Sequence, residues 1–242
     1  MTAIVSWSGG KDSCLALYRS QQTMRVTGLL TALDETGLKA RSHGVSCALL
    51  VAQAQALGLK NYFLSATWAE YESLFIEQLQ AAAADGAHHV IFGDIDLVPH
   101  KEWEEKVCAK AGLQAHLPLW NENRLALVQE FLTLGFKARV VCVDGRFLDA
   151  TFVGCEFDQD FIDRLPAGVD ACGENGEFHT FVYDGPNFAE AVPWKSLGKE
   201  AYVSPPEYGS HTYYFDLLGF EVLFKAEKFG QAVPLKSATK RY

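Results

Sequence analysis

A short glycine-rich loop near the start of the chain constrains its fold more than any other feature. The loop follows an apolar run at residues 3–7 and opens a segment of helical period at residues 13–19. Glycine lets backbone N–H groups approach an anion, and a helix start attracts negative charge, so this arrangement indicates a phosphate-binding loop. Its spacing matches neither GxxxxGKS/T nor GxGxxG, which disfavours a Walker A loop and a dinucleotide site. The residues predicted to bind phosphate are Ser8, Gly9, Gly10, Lys11, Asp12 and Ser13.

Strand-like and helical segments alternate over the first half of the chain. Apolar runs predict strands at residues 3–7, 26–33, 61–66, 89–94 and 115–119, with helices between them. Strands that alternate with helices form parallel sheets covered on both faces, and ligands bind at the carboxyl ends of such strands. We therefore expect an α/β fold, with a Rossmann-like parallel sheet in residues 1–121 and a smaller α+β domain in residues 122–242. Later strands are predicted at residues 137–143, 177–183 and 212–224, the last with a turn at Gly219.

Composition narrows the class of protein. A chain with 49% hydrophobic residues, 16 Phe and 5 Trp can bury a core, which excludes intrinsic disorder. The net charge of −9 disfavours nucleic acid as the main partner. The six cysteines form no CxxC pair, so we expect reduced core thiols rather than a zinc or redox site. The first residues do not resemble a signal peptide, and no apolar run approaches the roughly 20 residues that span a bilayer. We expect a cytoplasmic protein without membrane association.

Polar residues at two further strand ends are candidates for the same site. Gly93 and Asp94 end the fourth predicted strand, and carboxylates there suit Mg²⁺ held against phosphates. Asp12 and Asp94 are the predicted metal ligands, although an Asp at the position of Asp94 also commonly caps a helix. The sequence leaves the role of Asp96 undecided. Arg41 and His43, in the polar loop after the second strand, are candidates to contact the nucleotide or an acceptor.

A second polar motif lies ahead of the strand at residues 177–183. Its glutamates, three positions apart around an Asn-Gly pair, suit the binding of an amine or a metal, whereas Asn-Gly alone is a common turn signal. The following His and Thr favour a site. The predicted acceptor-binding residues are Gly173, Glu174, Asn175, Gly176, Glu177, His179 and Thr180.

SGGKDS resembles the pyrophosphate loop of the N-type ATP pyrophosphatases. Together with ARSHG, LLVAQAQALGL, VIFGDI, PLW and GENGEFHTFVYDGP, it makes the chain similar to the diphthine–ammonia ligase family over residues 3–188. The resemblance implies ATP and Mg²⁺, adenylation of an acceptor carboxylate with loss of pyrophosphate, and amidation by ammonia. For this reaction we expect Lys11 to stabilise the charge on the departing pyrophosphate. We expect Glu174 and Glu177, with Asn175 and His179, to position the acceptor or ammonia, and one of the two glutamates to take the ammonium proton.

One departure from the family pattern concerns the acceptor. Asn175 and His179 stand where diphthamide-forming members have Gly and Glu. The acceptor is therefore open: diphthine on elongation factor 2, if the source makes diphthamide, or another small-molecule or protein carboxylate. Ammonia would be free or come from a separate glutaminase, and a homodimer is compatible with the sequence. Two alternatives remain, a sulfur-transfer or tRNA-modifying enzyme that uses Cys172, and a non-catalytic ATP or AMP sensor.

Overall fold

A parallel sheet forms the first half of the molecule. The structure is a computed structural model that describes residues 1–41 and 43–220. Five strands lie in the order β3-β2-β1-β4-β5, and every neighbouring pair is parallel. The strands are β1 (Thr2–Ser6), β2 (Arg25–Leu33), β3 (Lys60–Ser65), β4 (His89–Ile91) and β5 (Gln114–His116). The helices between them are α1 (Lys11–Gln21), α2 (Cys47–Ala56), α3 (Tyr71–Ala84) and α4 (Val98–Lys110).

Apolar side chains cover both faces of this sheet. Ala3 and Val5 of β1 pack in one core with α1 and α2, whereas Ile4 packs in a second core with α3 and α4. Successive strand residues point to opposite faces, so a continuous apolar run is what a doubly covered strand requires. The chain order reverses between β1 and β4, and the carboxyl ends of these strands flank the crevice in which such sheets bind ligands.

An antiparallel sheet forms the second half. Its strands lie in the order β7-β6-β9-β8, with all pairs antiparallel. They are β6 (Lys137–Asp144), β7 (Phe178–Asp184), β8 (Trp194–Val203) and β9 (Thr212–Phe220). Helix α5 (Arg124–Thr133) precedes β6, α6 (Gln159–Asp163) lies between β6 and β7, and a short 3-10 helix, Pro206–Tyr208, lies between β8 and β9. Side chains of β6 and β7 belong to the core that also covers α1 and α2, so the two sheets share buried apolar surface.

The predicted fold class is confirmed: a Rossmann-like parallel sheet precedes a smaller unit of antiparallel sheet and helices. The domain boundary between residues 121 and 122 stays a prediction. The prediction of a turn at Gly219 is wrong, because Gly219 lies within β9 and pairs with Lys195 of β8. Strand β8 itself is absent from the sequence prediction. Residues 221–224 of the predicted last strand lie outside the described residues.

The helices are short. Within residues 1–41 and 43–220, none is both long enough and apolar enough to cross a membrane.

Candidate functional site

The predicted phosphate loop connects the end of β1 to the start of α1. Gly9 has φ +81°, a left-handed conformation that favours glycine. A Cβ on Gly10 would lie 2.4 Å from the His43 ring. A Cβ on Gly93, in the loop after β4, would lie 2.8 Å from the backbone nitrogen of Ser13. Glycine at these positions therefore lets two neighbouring loops approach the start of α1.

Hydroxyl groups complete the loop. Ser13 Oγ donates to the carbonyl oxygen of Gly10 at 3.0 Å and lies 3.2 Å from Ser8 Oγ. The Gly10 N–H donates to Ser8 Oγ at 3.2 Å. Both serines line the cleft above the loop. Hydroxyl and N–H donors thus converge at the positive end of a helix, which is an anion-binding arrangement.

Lys11 and Asp12 form an ion pair at the first turn of α1. Lys11 Nζ lies 2.7 Å from Asp12 Oδ2, and the lysine side chain is only 7% exposed. Burial lowers the pKa of Lys11, but the charge of Asp12 and its hydrogen bond to Lys11 outweigh burial and raise the pKa overall. Burial also raises the pKa of Asp12, although Lys11 opposes this. An anionic ligand that binds beside Lys11, in addition to Asp12, would contact a buried, protonated ammonium.

Asp94 lies after β4 and faces a carboxyl group that sequence reasoning missed. Its Oδ1 is 2.7 Å from Nδ1 of His100. Glu104 of α4 is 3% exposed, and burial together with a hydrogen bond to Asp94 raises the pKa of Glu104 to about 10. Glu104 Oε2 has no hydrogen-bond partner among the described residues. A neutral Glu104 therefore supports Asp94 at the edge of the cleft.

Asp12 and Asp94 are suitable ligands for Mg²⁺. Both line the cleft, and the charge of Asp94 contributes to the raised pKa of Asp12. No group of three or more His, Cys, Asp or Glu that could hold a metal occurs in the described part of the chain. Mg²⁺ commonly binds through one or two carboxylates plus substrate phosphates rather than in an all-protein cage. The donor set present here fits that mode.

The second motif forms a loop whose two glutamates face different ways. Glu174 lines the cleft, and burial with the nearby charge of Asp12 raises the pKa of Glu174 to about 8. Glu177 is 1% exposed and accepts hydrogen bonds from Asn175 N, Asn175 Nδ2 and Asp170 N at 2.9, 2.8 and 3.3 Å. Neither Glu177 nor Asn175 lines the cleft. Acceptor contact by Glu177 and Asn175 stays a prediction. In the structure, Glu177 satisfies backbone N–H groups that would otherwise be buried without partners, and so shapes the loop that presents Glu174.

Two histidines meet beside the phosphate loop. The rings of His43 and His179 have centroids 4.6 Å apart, and His43 Nδ1 donates to the carbonyl oxygen of Thr180 at 2.8 Å. Burial and the charge of Lys11 lower the pKa of His43 to about 4. Burial, His43 and Lys11 lower that of His179 to about 3. Both imidazoles are neutral at physiological pH. Thr180 also lines the cleft, but its Oγ1 accepts the Lys11 N–H at 3.0 Å, which ties β7 to the phosphate loop.

Arg41 and Asp96 occupy different kinds of position. Arg41 lines the cleft with its guanidinium carbon 4.5 Å from the Trp68 ring centroid. Asp96 forms a bidentate ion pair with Arg124 at 2.8 and 2.6 Å, and Arg124 also contacts Asp170 at 2.7 Å. Hydrogen bonds from Arg124 lower the pKa of Asp96. Asp96 therefore belongs to an ion-pair network in which Arg124 links the loop after β4 to the loop before β7.

Cys172 is not positioned as a nucleophile. Its thiol is buried, and Sγ donates to the carbonyl oxygen of Arg124 at 3.1 Å. Burial raises the pKa of Cys172 to about 12. Reactive thiols have lowered pKa values and some exposure, so this one is structural.

The elements above enclose one cleft of about 810 Å³. An aromatic wall of Tyr71, Phe75 and Trp103 closes one side, and sequence reasoning missed it because these residues have ordinary amphipathic spacing. Gly9, Gly10, Asn175 and Glu177 are the predicted site residues that do not line the cleft. Those that do are Ser8, Lys11, Asp12, Ser13, Arg41, His43, Gly93, Asp94, Gly173, Glu174, Gly176, His179 and Thr180.

Comparison with known proteins matches both halves of the chain. The model of the diphthamide synthase N-terminal domain matches residues 1–115, and that of the diphthamide synthase C-terminal domain matches residues 123–203. The diphthine–ammonia ligase of Homo sapiens is 25% identical over 212 residues, covering 76% of this chain and 79% of that protein. The Bos taurus diphthine–ammonia ligase is 33% identical over 93 residues, covering 36% of this chain and 35% of that protein. The chain thus matches about a third of the bovine relative's length.

A solved structure shares a weaker likeness. It is described as a predicted subunit of tRNA methyltransferase from Methanocaldococcus jannaschii, with a TM-score of 0.39 and 18% identity, covering 58% of this chain and 80% of that one.

The two domain models together cover most of the chain, in the order in which its two sheets occur. The chain belongs to the diphthamide synthase family.

Proposed function

We propose that this protein is an ATP-dependent, AMP-forming amide ligase that activates an acceptor carboxylate and amidates it with ammonia. The observation that carries the proposal is the shared cleft, which the phosphate loop with Lys11 and the second-motif loop with Glu174 line together. A nucleotide bound at one wall and an acceptor bound at the other would meet there. Relatives named diphthine–ammonia ligase support the same chemistry.

In the first step, the phosphates of ATP bind at the start of α1, with donors from Ser8, Ser13 and Lys11. An oxygen of the acceptor carboxylate attacks the α-phosphorus, and the bond between that phosphorus and pyrophosphate breaks. The ammonium of Lys11 stabilises the charge that develops on pyrophosphate, and its burial strengthens this effect because little water screens it.

In the second step, the nitrogen of ammonia attacks the acyl carbon, and the bond from that carbon to the AMP oxygen breaks. The nitrogen must also lose a proton. Glu174 is the base we assign, because a pKa of about 8 lets it exchange a proton close to neutral pH. His43 and His179, held neutral, offer hydrogen-bond acceptors beside Lys11 without adding a positive charge.

Asp12 and Asp94 would hold Mg²⁺, which when bound supplies positive charge against the phosphates. The acceptor is a small-molecule or protein carboxylate, and elongation factor 2 carries it if the source organism makes diphthamide. Ammonia is free or comes from a separate glutaminase, and the protein works in the cytoplasm. Sulfur transfer through Cys172 is disfavoured by the raised thiol pKa.

The test incubates the protein with ATP, Mg²⁺ and ammonium, with and without diphthine-bearing elongation factor 2 and a panel of other carboxylates. AMP, pyrophosphate and the mass of each acceptor are followed. We expect equal amounts of AMP and pyrophosphate, dependent on the acceptor, and a carboxylate-to-amide mass change. ATP binding without cleavage over the whole panel would contradict the ligase and support a nucleotide sensor. Formation of ADP would contradict the proposed bond cleavage.

A further inference from the structure

A glutamine of α2, Gln53, contacts the phosphate loop on the side away from the cleft. Gln53 has 0% exposure and does not line the cleft. Its Oε1 accepts from Trp7 Nε1 at 3.0 Å, and its Nε2 donates to the carbonyl oxygens of Gly9 at 3.0 Å and Val182 at 2.6 Å. One side chain therefore bonds to the end of β1, to the phosphate loop and to β7 of the second sheet.

The Gly9 carbonyl has two donors. Besides Gln53, the Val182 N–H donates to it at 2.9 Å. In a trans peptide the carbonyl and the next residue's N–H point in opposite directions. Fixing the Gly9 carbonyl toward Gln53 and Val182 therefore directs the Gly10 N–H to the other side of the loop, where Ser8 Oγ accepts it at 3.2 Å.

We propose that Gln53 is a positioning residue, which fixes the orientation of the Gly9–Gly10 peptide and, through the Gly10 N–H, the Ser8 hydroxyl that faces the bound phosphate, and which holds the phosphate loop against the strand that carries His179 and Thr180. This rests on the proposed function, since it assumes a phosphate-bearing substrate at the loop. His179 and Thr180 lie on the same strand as Val182, so Gln53 also fixes the loop relative to the acceptor side of the cleft.

Only an uncharged side chain with two N–H donors fits this position. A carboxylate would place negative charge beside two carbonyl oxygens, and an apolar side chain would leave Trp7 Nε1 and the Val182 carbonyl without their side-chain partner. The left-handed Gly9 is matched to it, because a Cβ there would lie 2.7 Å from Gln53 Oε1.

The test compares Gln53→Met with Gln55→Met. Met keeps the length of the side chain but removes its hydrogen bonds. Gln55 is an exposed glutamine on the same helix and serves as the matched control. Calorimetry measures the affinity for inorganic pyrophosphate, ATP and adenosine. We expect Gln53→Met to bind pyrophosphate and ATP about tenfold more weakly, roughly the effect of one hydrogen bond to a charged group. Adenosine affinity, and every affinity of Gln55→Met, should match the wild type.

Unchanged pyrophosphate affinity in Gln53→Met would overturn the proposal. An equal loss for adenosine and pyrophosphate would also overturn it, because that result describes general damage to the fold. If Gln53→Met does not fold, Gln53→Asn replaces it with the same expectation, since it stays uncharged but is one methylene shorter and so draws the amide away from the Gly9 carbonyl. Wild-type protein that binds pyrophosphate but forms no AMP would refute the ligase alone, whereas failure to bind pyrophosphate would refute the positioning role.

Discussion

Removing Lys11 should destabilise the protein as well as abolish its activity, and the loss of stability should depend on pH. Lys11→Met leaves Asp12 without the ammonium now 2.7 Å away, and the Asp12 side chain is only 29% exposed. The carboxylate can avoid an unpaired buried charge by binding a proton. From its ordinary pKa of 3.8, that costs at most about 4 kcal/mol at pH 7 and about 2 kcal/mol at pH 5. Partial exposure lowers both figures, so we expect a loss of about 2–4 kcal/mol at pH 7.

Urea unfolding at several pH values, without Mg²⁺ or nucleotide, measures this loss. The sign follows from Asp12: its folded pKa rises further when Lys11 is absent, so the penalty grows as pH rises above 3.8 and shrinks as pH falls. The double variant Lys11→Met/Asp12→Asn should regain stability at pH 7 but not ATP cleavage. Lys106→Met, which removes an exposed partner of Glu72, is the control and should cost less than about 1 kcal/mol. A loss in Lys11→Met that is the same at pH 5 and pH 7 would refute the reasoning.

Four further predictions concern the cleft and its surroundings. Glu177→Gln should lower the free energy of unfolding by about 1–3 kcal/mol, because an amide has one acceptor oxygen where Glu177 uses two to accept hydrogen bonds from N–H groups. It should also reduce product formation more than ATP affinity, and undiminished amidation would contradict this. Asp94→Asn should raise the Mg²⁺ concentration for half-maximal activity, and an unchanged titration would remove Asp94 from the metal site. Cys172→Ala should retain turnover, and loss of turnover in a folded variant would restore a role for the thiol. The lowered pKa values of His43 and His179 mean that the unfolded chain binds protons the fold excludes, so stability should fall as pH drops from about 6.5 toward 4; replacing both histidines by Gln should flatten this dependence, and an unchanged slope would contradict it.

Local signals were sufficient for the strand, loop and helix that open the chain and for the parallel sheet. An apolar strand, two glycines and a helix start are adjacent in sequence, so their contact needs no long-range information. The role of Glu104 beside Asp94 could not be predicted from local sequence in the same way. It stands among the charged residues of KEWEEK, where Glu102 and Glu105 carry the same side chain, and only the packing of α4 against Asp94 distinguishes it. Gln53, in an Ala-rich helix, likewise gains its role from a strand about 130 residues away.

Two errors in the second sheet have physical causes. Strand β8 is exposed over almost its whole length, so it lacks the alternation of apolar and polar residues that identifies a half-buried strand. A glycine within an apolar run predicts a turn at Gly219, but the residue continues β9 and pairs with Lys195 of β8, a long-range contact that no local signal reveals. The two glutamates of the second motif could not be separated from sequence because both flank the same turn, and the direction of each depends on the folded loop.

The most direct test of the account follows an oxygen atom. An acceptor that supports AMP formation is prepared with isotopically labelled carboxylate oxygens and incubated with ATP, Mg²⁺ and ammonium, and the released AMP is analysed by mass spectrometry. If the carboxylate attacks the α-phosphorus and ammonia then displaces AMP, one labelled oxygen must pass from the acceptor to the phosphate of AMP. Unlabelled AMP formed together with the amide would contradict adenylation of the acceptor in the cleft between the phosphate loop and the second-motif loop.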